Sequence, residues 1–242
     1  MKSVIVTGAS SGIGRVTAEL FLACGWRVGL LARREQALRE VAGDHPAAHL
    51  LPADVTDEAG VERAFAQFLK AAGRIDVLFN NAGIFAQAGL IDEIPLEAWQ
   101  RSIDVNLTGM FLCARAAFSA MRRQHPQGGR IINNGSIAAH VPRPRSVHYS
   151  ATKHAITGLT RSLSLDGRDF GIACGQIDIG NARTEMVSGL VEAQQAEGRM
   201  PDPTMAVEDA ARSVLHMAEL PPEANVQFMT VMATTMPYIG RG

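Results

Sequence analysis

Cysteine is scarce in this chain, with Cys24, Cys113 and Cys174 the three among 242 residues. Odd in number, far apart and set among apolar neighbours, they exclude a disulfide framework and a zinc site, and they read as buried thiols of a reducing compartment. Net charge is nearly absent too: at −1 it supplies no global electrostatic pull toward nucleic acid or an anionic membrane. No uninterrupted apolar span reaches membrane length, and the opening Met1-Lys2-Ser3-Val4-Ile5-Val6 is too short for the apolar region of a signal peptide. A soluble, cytoplasmic protein is expected. The seven histidines are dispersed without accompanying carboxylates, which argues against a metal. Repeats, low-complexity tracts and interdomain linkers are missing as well, and the length suits a single domain spanning residues 1–242. With nucleic acid, membrane and metal set aside, small-molecule chemistry is the class that is left.

What the chain does have is alternation. Residues 4–6 form a short β-branched run of the kind found in a strand buried on both faces of a parallel sheet. It leads straight into Thr7-Gly8-Ala9-Ser10-Ser11-Gly12-Ile13-Gly14, after which residues 16–24 read as helix. Further strands are predicted at 27–32, 48–53, 76–79, 129–134, 171–177 and 226–232, with helices at 57–72, 96–123, 148–165 and 206–220 among the intervening segments. Such alternation predicts an α/β fold, a doubly wound seven-stranded parallel sheet with helices on both faces and right-handed crossovers.

The candidate functional residues cluster after the strands. Gly8, Gly12 and Gly14, spaced G-x-x-x-G-x-G and carrying Ser10, Ser11 and Ile13, join a strand to a helix. Backbone N–H groups at a helix N-terminus attract anions, and glycine lets a pyrophosphate approach, although such a turn also exists without a ligand. The second strand ends in Ala32, where nicotinamide enzymes of this build often place an acidic residue for the adenosine ribose. Arg33 and Arg34 follow, and a guanidinium suits bidentate pairing with a 2′-phosphate, which favours NADP over NAD; the alternative is two solvated arginines opening the next helix. Asp54, next to Val55, stands either to reach an adenine amino group or as helix-entry polarity. Asn80-Asn81-Ala82-Gly83 offers a small-residue wall whose amides brace neighbouring strand ends.

In the helix of 96–123, Trp99, Ile103, Leu107, Met110 and Phe111 recur at helical spacing and read as mostly core. Asn106 interrupts that stripe, either as a satisfied core amide or as one that holds a water by perturbing the helix. Ser136 follows the fifth strand and Gly180 the sixth. Tyr149 and Lys153, four residues apart, share one helix face. A phenol ionises at about pH 10, and a neighbouring cation of the kind Lys153 supplies stabilises its phenolate. His140 and His148 flank this segment and read as surface or loop histidines. Residues 185–205, rich in Glu, Gln, Gly and Met without a clear core face, are expected to form a mobile lid or substrate loop. Every motif lies beyond the carboxyl end of a strand, where ligands bind in such folds.

Taken together, T-G-x-x-x-G-I-G at Thr7 to Gly14, N-N-A-G at Asn80 to Gly83, Ser136 and Y-x-x-x-K at Tyr149 to Lys153 resemble the short-chain dehydrogenase/reductase family, including the thirteen-residue step from Ser136 to Tyr149. The resemblance covers almost the whole chain. It implies a Rossmann-type fold, a nicotinamide dinucleotide and reversible interconversion of a small carbonyl and a secondary alcohol. It further implies that Asn106, Ser136, Tyr149 and Lys153 form the catalytic tetrad and that Gly8, Ser10, Ser11, Ile13, Asp54, Val55, Asn81 and Thr184 line the cofactor. A homodimer or homotetramer is implied on the same ground. Two departures stand out. Ile179-Gly180 replaces the usual Pro-Gly beside the nicotinamide, and the chain closes on an apolar Met-Pro-Tyr-Ile-Gly-Arg-Gly, expected to pack on a neighbouring subunit. A dinucleotide sensor without turnover and an NAD-linked dehydrogenase are the competing functions; the intact Ser136, Tyr149 and Lys153 argue against the sensor.

Overall fold

The structure, a computed structural model, describes residues 1–196, 198 and 200–239. It opens with β1 (Ser3–Thr7), all five residues buried, as a β-branched run between two helix layers should be. Then come α1 (Gly12–Ala23), β2 (Arg27–Ala32), α2 (Glu35–Ala42), β3 (Ala48–Pro52), α3 (Glu58–Ala72) and β4 (Val77–Asn80). The second half runs α4 (Leu96–Ile103), α5 (Gly109–Arg123), β5 (Gly129–Asn134), α6 (Val147–Asp166), β6 (Ile172–Ile179), α7 (Glu185–Ala196), α8 (Val207–Glu219) and β7 (Phe228–Val231). Among the described residues the seven strands form one sheet in the order β3-β2-β1-β4-β5-β6-β7, every pairing parallel. This is the Rossmann-type doubly wound arrangement.

The period-two geometry of a strand sends successive side chains to opposite faces. Val4 and Val6 therefore join Phe21, Leu38 and Val214 under α1, α2 and α8, whereas Ile5 joins Phe65, Phe68 and Cys113 under α3 and α5. In register, Val6 pairs with Leu30 of β2 on one side and Phe79 of β4 on the other. The chain thus leaves β1 in one direction and returns beside it in the other. That reversal opens a crevice at the carboxyl ends of β1 and β4.

Several local expectations are revised. α1 begins at Gly12 and not at residue 16, so the end of the glycine turn is itself the first helical turn. The 96–123 segment is helical throughout but contains a π turn, Asp104–Thr108, in which the Gly109 N–H reaches back to the carbonyl of Asp104. One inserted residue rotates the downstream helix faces by about 100°. The apolar stripe read with a single period therefore does not face one core: Met110 is buried, Trp99, Ile103 and Leu107 are half-buried, and Phe111 is exposed. Cys24, read as buried, is exposed at the C-terminus of α1. The stretch without a core face holds α7, and its Glu197 and Arg199 lie outside the described residues, as do residues 240–242 of the tail. Met236 of that tail packs on its own chain, against Ile137 and Ala233. No described helix is long and apolar enough to cross a membrane.

Candidate active site

Three strand ends are tied together by side chains. The Thr7 hydroxyl accepts the N–H groups of Asn81 (2.8 Å) and Ala82 (2.9 Å), while the Asn81 amide donates to the Thr7 carbonyl (2.9 Å). The Asn134 amide in turn donates to Asn81 Oδ1 at 2.8 Å. Behind them Asn80 donates to Asn133 Oδ1 and to the Met110 carbonyl. The asparagines thus brace β1, β4 and β5, as their amide chemistry suggested.

The glycine turn wraps over this brace. Gly8 sits at φ +66°, and a Cβ there would lie 3.0 Å from both the Ala82 Cα and Asn81 Nδ2. At Gly14 a Cβ would lie 2.3 Å from the Gly8 carbonyl oxygen, so glycine lets α1 dock directly on the turn. Gly14 serves that packing and is not part of the cleft wall. Ser11 caps α1 without a side-chain hydrogen bond, which leaves the first-turn N–H groups pointing outward without that partner. The resulting cleft has a volume of about 420 Å³. Its walls carry Gly8, Ser10, Ser11, Gly12 and Ile13 from the turn, Asn81, Ala82 and Gly83 after β4, and Thr184 after β6.

At the far end stand Ala32, Arg33 and Arg34 after β2 and Asp54 and Val55 after β3. Of its two expected characters Asp54 has the helix-entry one, and it also lines the cleft. Its Oδ1 accepts from the Thr56 backbone (3.0 Å) and hydroxyl (2.9 Å), a helix-entry pattern, while its Oδ2 lies 3.9 Å from Arg33 Nη1 inside the cleft. Arg101, from α4, lines the same cleft together with Val105 one turn later. Arg101 was missed: its i, i+4 spacing to Val105 puts both on one helix face, but only the fold turns that face to the cleft.

Tyr149 and Lys153 project from α6 at the opposite end. Lys153 is buried, and its ammonium donates to the Asn134 carbonyl at 2.8 Å and lies 5.5 Å from the Tyr149 ring centroid. The Tyr149 ring is braced by Phe85 at 5.2 Å. Asn134 was also missed: it lines the cleft, is 8% exposed, and its buried Oδ1 has no partner among the described residues. An orphaned acceptor in a cleft wall fits a ligand hydroxyl or amide. The glycine cradle and the first-turn N–H groups of α1 fit a dinucleotide's pyrophosphate.

Asn106 and Ser136 are not among the residues that line this cleft. Asn106, fully buried in the π turn, accepts the Ile84 N–H (2.7 Å) and donates to the Ile84 carbonyl (2.9 Å). It is thus a satisfied amide, the first of its two expected readings, and it sits in a perturbed helix. The Ser136 hydroxyl accepts from the Ala138 N–H at 3.1 Å, which leaves its proton to donate elsewhere. Ile179 is core, and a Cβ at Gly180 would lie 2.5 Å from Met232 Cβ, so neither contributes to the cleft wall. His148, read as a surface or loop residue, is fully buried and bonds to the Gln87 carbonyl at 3.0 Å. His140 is partly exposed and paired with Asp178.

Among known proteins, the 2,5-dichloro-2,5-cyclohexadiene-1,4-diol dehydrogenase of Sphingobium indicum is 39% identical over 193 residues, 79% of this chain and 76% of that one. Sulfoacetaldehyde reductase 2 of Chromohalobacter salexigens is 32% identical over 238 residues, 96% of this chain and 94% of that protein. Among solved structures, the 3-ketoacyl-(acyl-carrier-protein) reductase of Brucella melitensis, complexed with NADH, superposes with a TM-score of 0.85 at 25% identity, covering 96% of each chain. The family model for short chain dehydrogenase matches residues 2–195, and with that extent of agreement in sequence and in backbone the chain belongs to this family of oxidoreductases acting on CH–OH groups.

Proposed function

We propose that the protein is an NADP-dependent reductase and dehydrogenase of a small carbonyl and its secondary alcohol, with Tyr149 as the proton donor and acceptor. The observation that carries this reading is the placement of Tyr149 and Lys153 in the wall of the same cleft that the glycine turn and Arg33 enter. NADPH, when bound, supplies the hydride that reduces a carbonyl carbon. The first-turn N–H groups of α1 would hold its pyrophosphate, and Arg33 and Arg34 a 2′-phosphate. Tyr149 gives its phenolic proton to the carbonyl oxygen as charge develops there, and the ammonium of Lys153 stabilises the oxyanion left on the ring. Ser136 donates its free hydroxyl hydrogen to the same oxygen, an interaction that strengthens toward the transition state. Asn106 holds the segment after β4, through Ile84, against the helix that faces Tyr149.

Residues 185–205 serve as the substrate lid of a single catalytic domain. In support, Glu185 borders the cleft, and Arg143 of the loop before α6 reaches Asn181 at 2.6 Å and Asp202 at 3.9 Å. We also propose a homodimer or homotetramer, since Leu96 and Phe111 expose apolar surface on α4 and α5. The function is tested by following NADPH oxidation against a panel of ketones, aldehydes and 3-oxoacyl thioesters, with Tyr149→Phe alongside. Tyr149→Phe should bind NADPH as the native protein does and lose nearly all turnover. A variant keeping more than about a tenth of the native rate removes Tyr149 as the acid.

A further inference from the structure

Outside the residues given a role above, a carboxylate is buried directly behind Ser136. Asp178, near the end of β6, is fully buried. A buried carboxylate costs several kcal/mol unless it is paired and hydrogen-bonded, so its partners show what holds it there. Oδ1 accepts the Ser136 backbone N–H at 2.9 Å and the Gln176 amide at 2.7 Å; Oδ2 contacts His140 Nε2 at 2.8 Å. With an ionised Asp178 the imidazole nitrogen must be the donor, and it remains one whether or not His140 is protonated. The approach is close. A Cβ at Gly135 would lie 2.0 Å from Asp178 Oδ1, so the carboxylate reaches the Ser136 N–H because a glycine precedes it.

The contact is also the end of a polar chain through the core. Asn133 donates to the Thr160 hydroxyl (3.0 Å), Thr160 donates to Gln176 Oε1 (3.2 Å), and Gln176 donates to Asp178. Networks of this kind fix one geometry when every member is satisfied. Here the fixed end is the Ser136 backbone, and the Ala138 N–H then orients the hydroxyl.

We infer that Asp178 is a positioning residue: it clamps the Ser136 backbone so that the hydroxyl faces the reacting oxygen, and His140 is its partner on the solvent side. This rests on the reading of Ser136 as a donor to that oxygen. Asp178 does not touch substrate and acts through Ser136 alone.

A double-mutant cycle tests it, using native protein, Ser136→Ala, Asp178→Ala and the double variant with NADPH and the carbonyl compound that the native protein reduces fastest. Asn would keep an acceptor for the Ser136 N–H, whereas Ala removes it. Ser136→Ala should lower kcat about 100-fold. Asp178→Ala should lower kcat about 10-fold, through a misplacement of under an ångström, with the KM for the carbonyl and the NADPH dissociation constant from fluorescence titration both within about twofold of native. In the Ser136→Ala background the same substitution should cost less than about twofold, because the group it positions is gone. If Asp178→Ala costs its full factor again in that background, or weakens NADPH binding equally, Asp178 does not act through Ser136 and the inference fails. If Ser136→Ala leaves kcat unchanged, the role of Ser136 fails first and takes the inference with it. Should Asp178→Ala not fold, His140→Leu at its partly exposed site runs the same cycle; a kcat loss that persists undiminished without the serine hydroxyl is again refutation.

Discussion

Asn106→Leu isolates what the π turn does for the fold. The native amide makes a two-point contact with Ile84, accepting its N–H at 2.7 Å and donating to its carbonyl at 2.9 Å. Leucine keeps the branched heavy-atom skeleton in a bulkier form, leaves no room for water to replace the amide, and offers neither bond. Each polar group stranded in the interior costs roughly 1–3 kcal/mol. The Ile84 groups are only partly buried, so the lower half of that range applies to each, about 2–4 kcal/mol together. For a chain of this size about 1 kcal/mol lowers Tm by some 2–4 °C, which predicts a fall of roughly 5–15 °C by circular dichroism at fixed pH and salt. Asn106→Asp is the companion: it keeps an acceptor for the Ile84 N–H but sets an oxygen against the Ile84 carbonyl, and it too should be destabilised. A Tm for Asn106→Leu within about a degree of native would refute the clamp and leave Asn106 only its effect on the helix.

Arg33→Asp replaces a guanidinium in the cleft by a carboxylate beside Asp54. A unit charge pair at about 4 Å is worth roughly 1 kcal/mol in water and 4 at an effective dielectric of 20, and this position is well exposed, so the ratio of kcat/KM for NADPH over NADH should fall about 10- to 100-fold; an unchanged ratio contradicts the NADP assignment. Burial pushes the thiols of Cys113 and Cys174 up to about 12, whereas Cys24 is exposed. A disulfide reagent at mildly alkaline pH should therefore titrate Cys24 alone in the native protein and all three thiols in guanidinium, and rapid native reaction at more than one site would count against the packing described. Light scattering at micromolar concentration should return a mass of two or four chains, and a monomer would remove the proposed assembly.

How much of this was legible in the chain depended on the range of the interaction involved. The alternating strands and helices, the glycine turn and the pairing of Tyr149 with Lys153 are set by residues within one turn or one strand of each other. Hydrophobic period and local backbone sterics suffice for those, so β2 and β5 match their predicted bounds. The break in the 96–123 helix was half legible. Asn106 marked the place, but only its bonding to Ile84, 22 residues away in sequence, decided that the helix would widen there and turn Phe111 to solvent.

Other features came from tertiary structure alone, because they depend on the register of strands far apart in sequence. Asn134 meets Asn81, and Asp178 meets Ser136, only once β5 has paired with β4 and with β6. Nothing local to Asp178 distinguishes a surface carboxylate from one sealed beneath a serine, and nothing local to Arg101 announces that α4 borders the cleft. By itself the sequence determined which chemistry-bearing side chains follow which strand. Their contacts, and which of them line the cleft, were decided by the parallel sheet that brings seven strand ends to one edge.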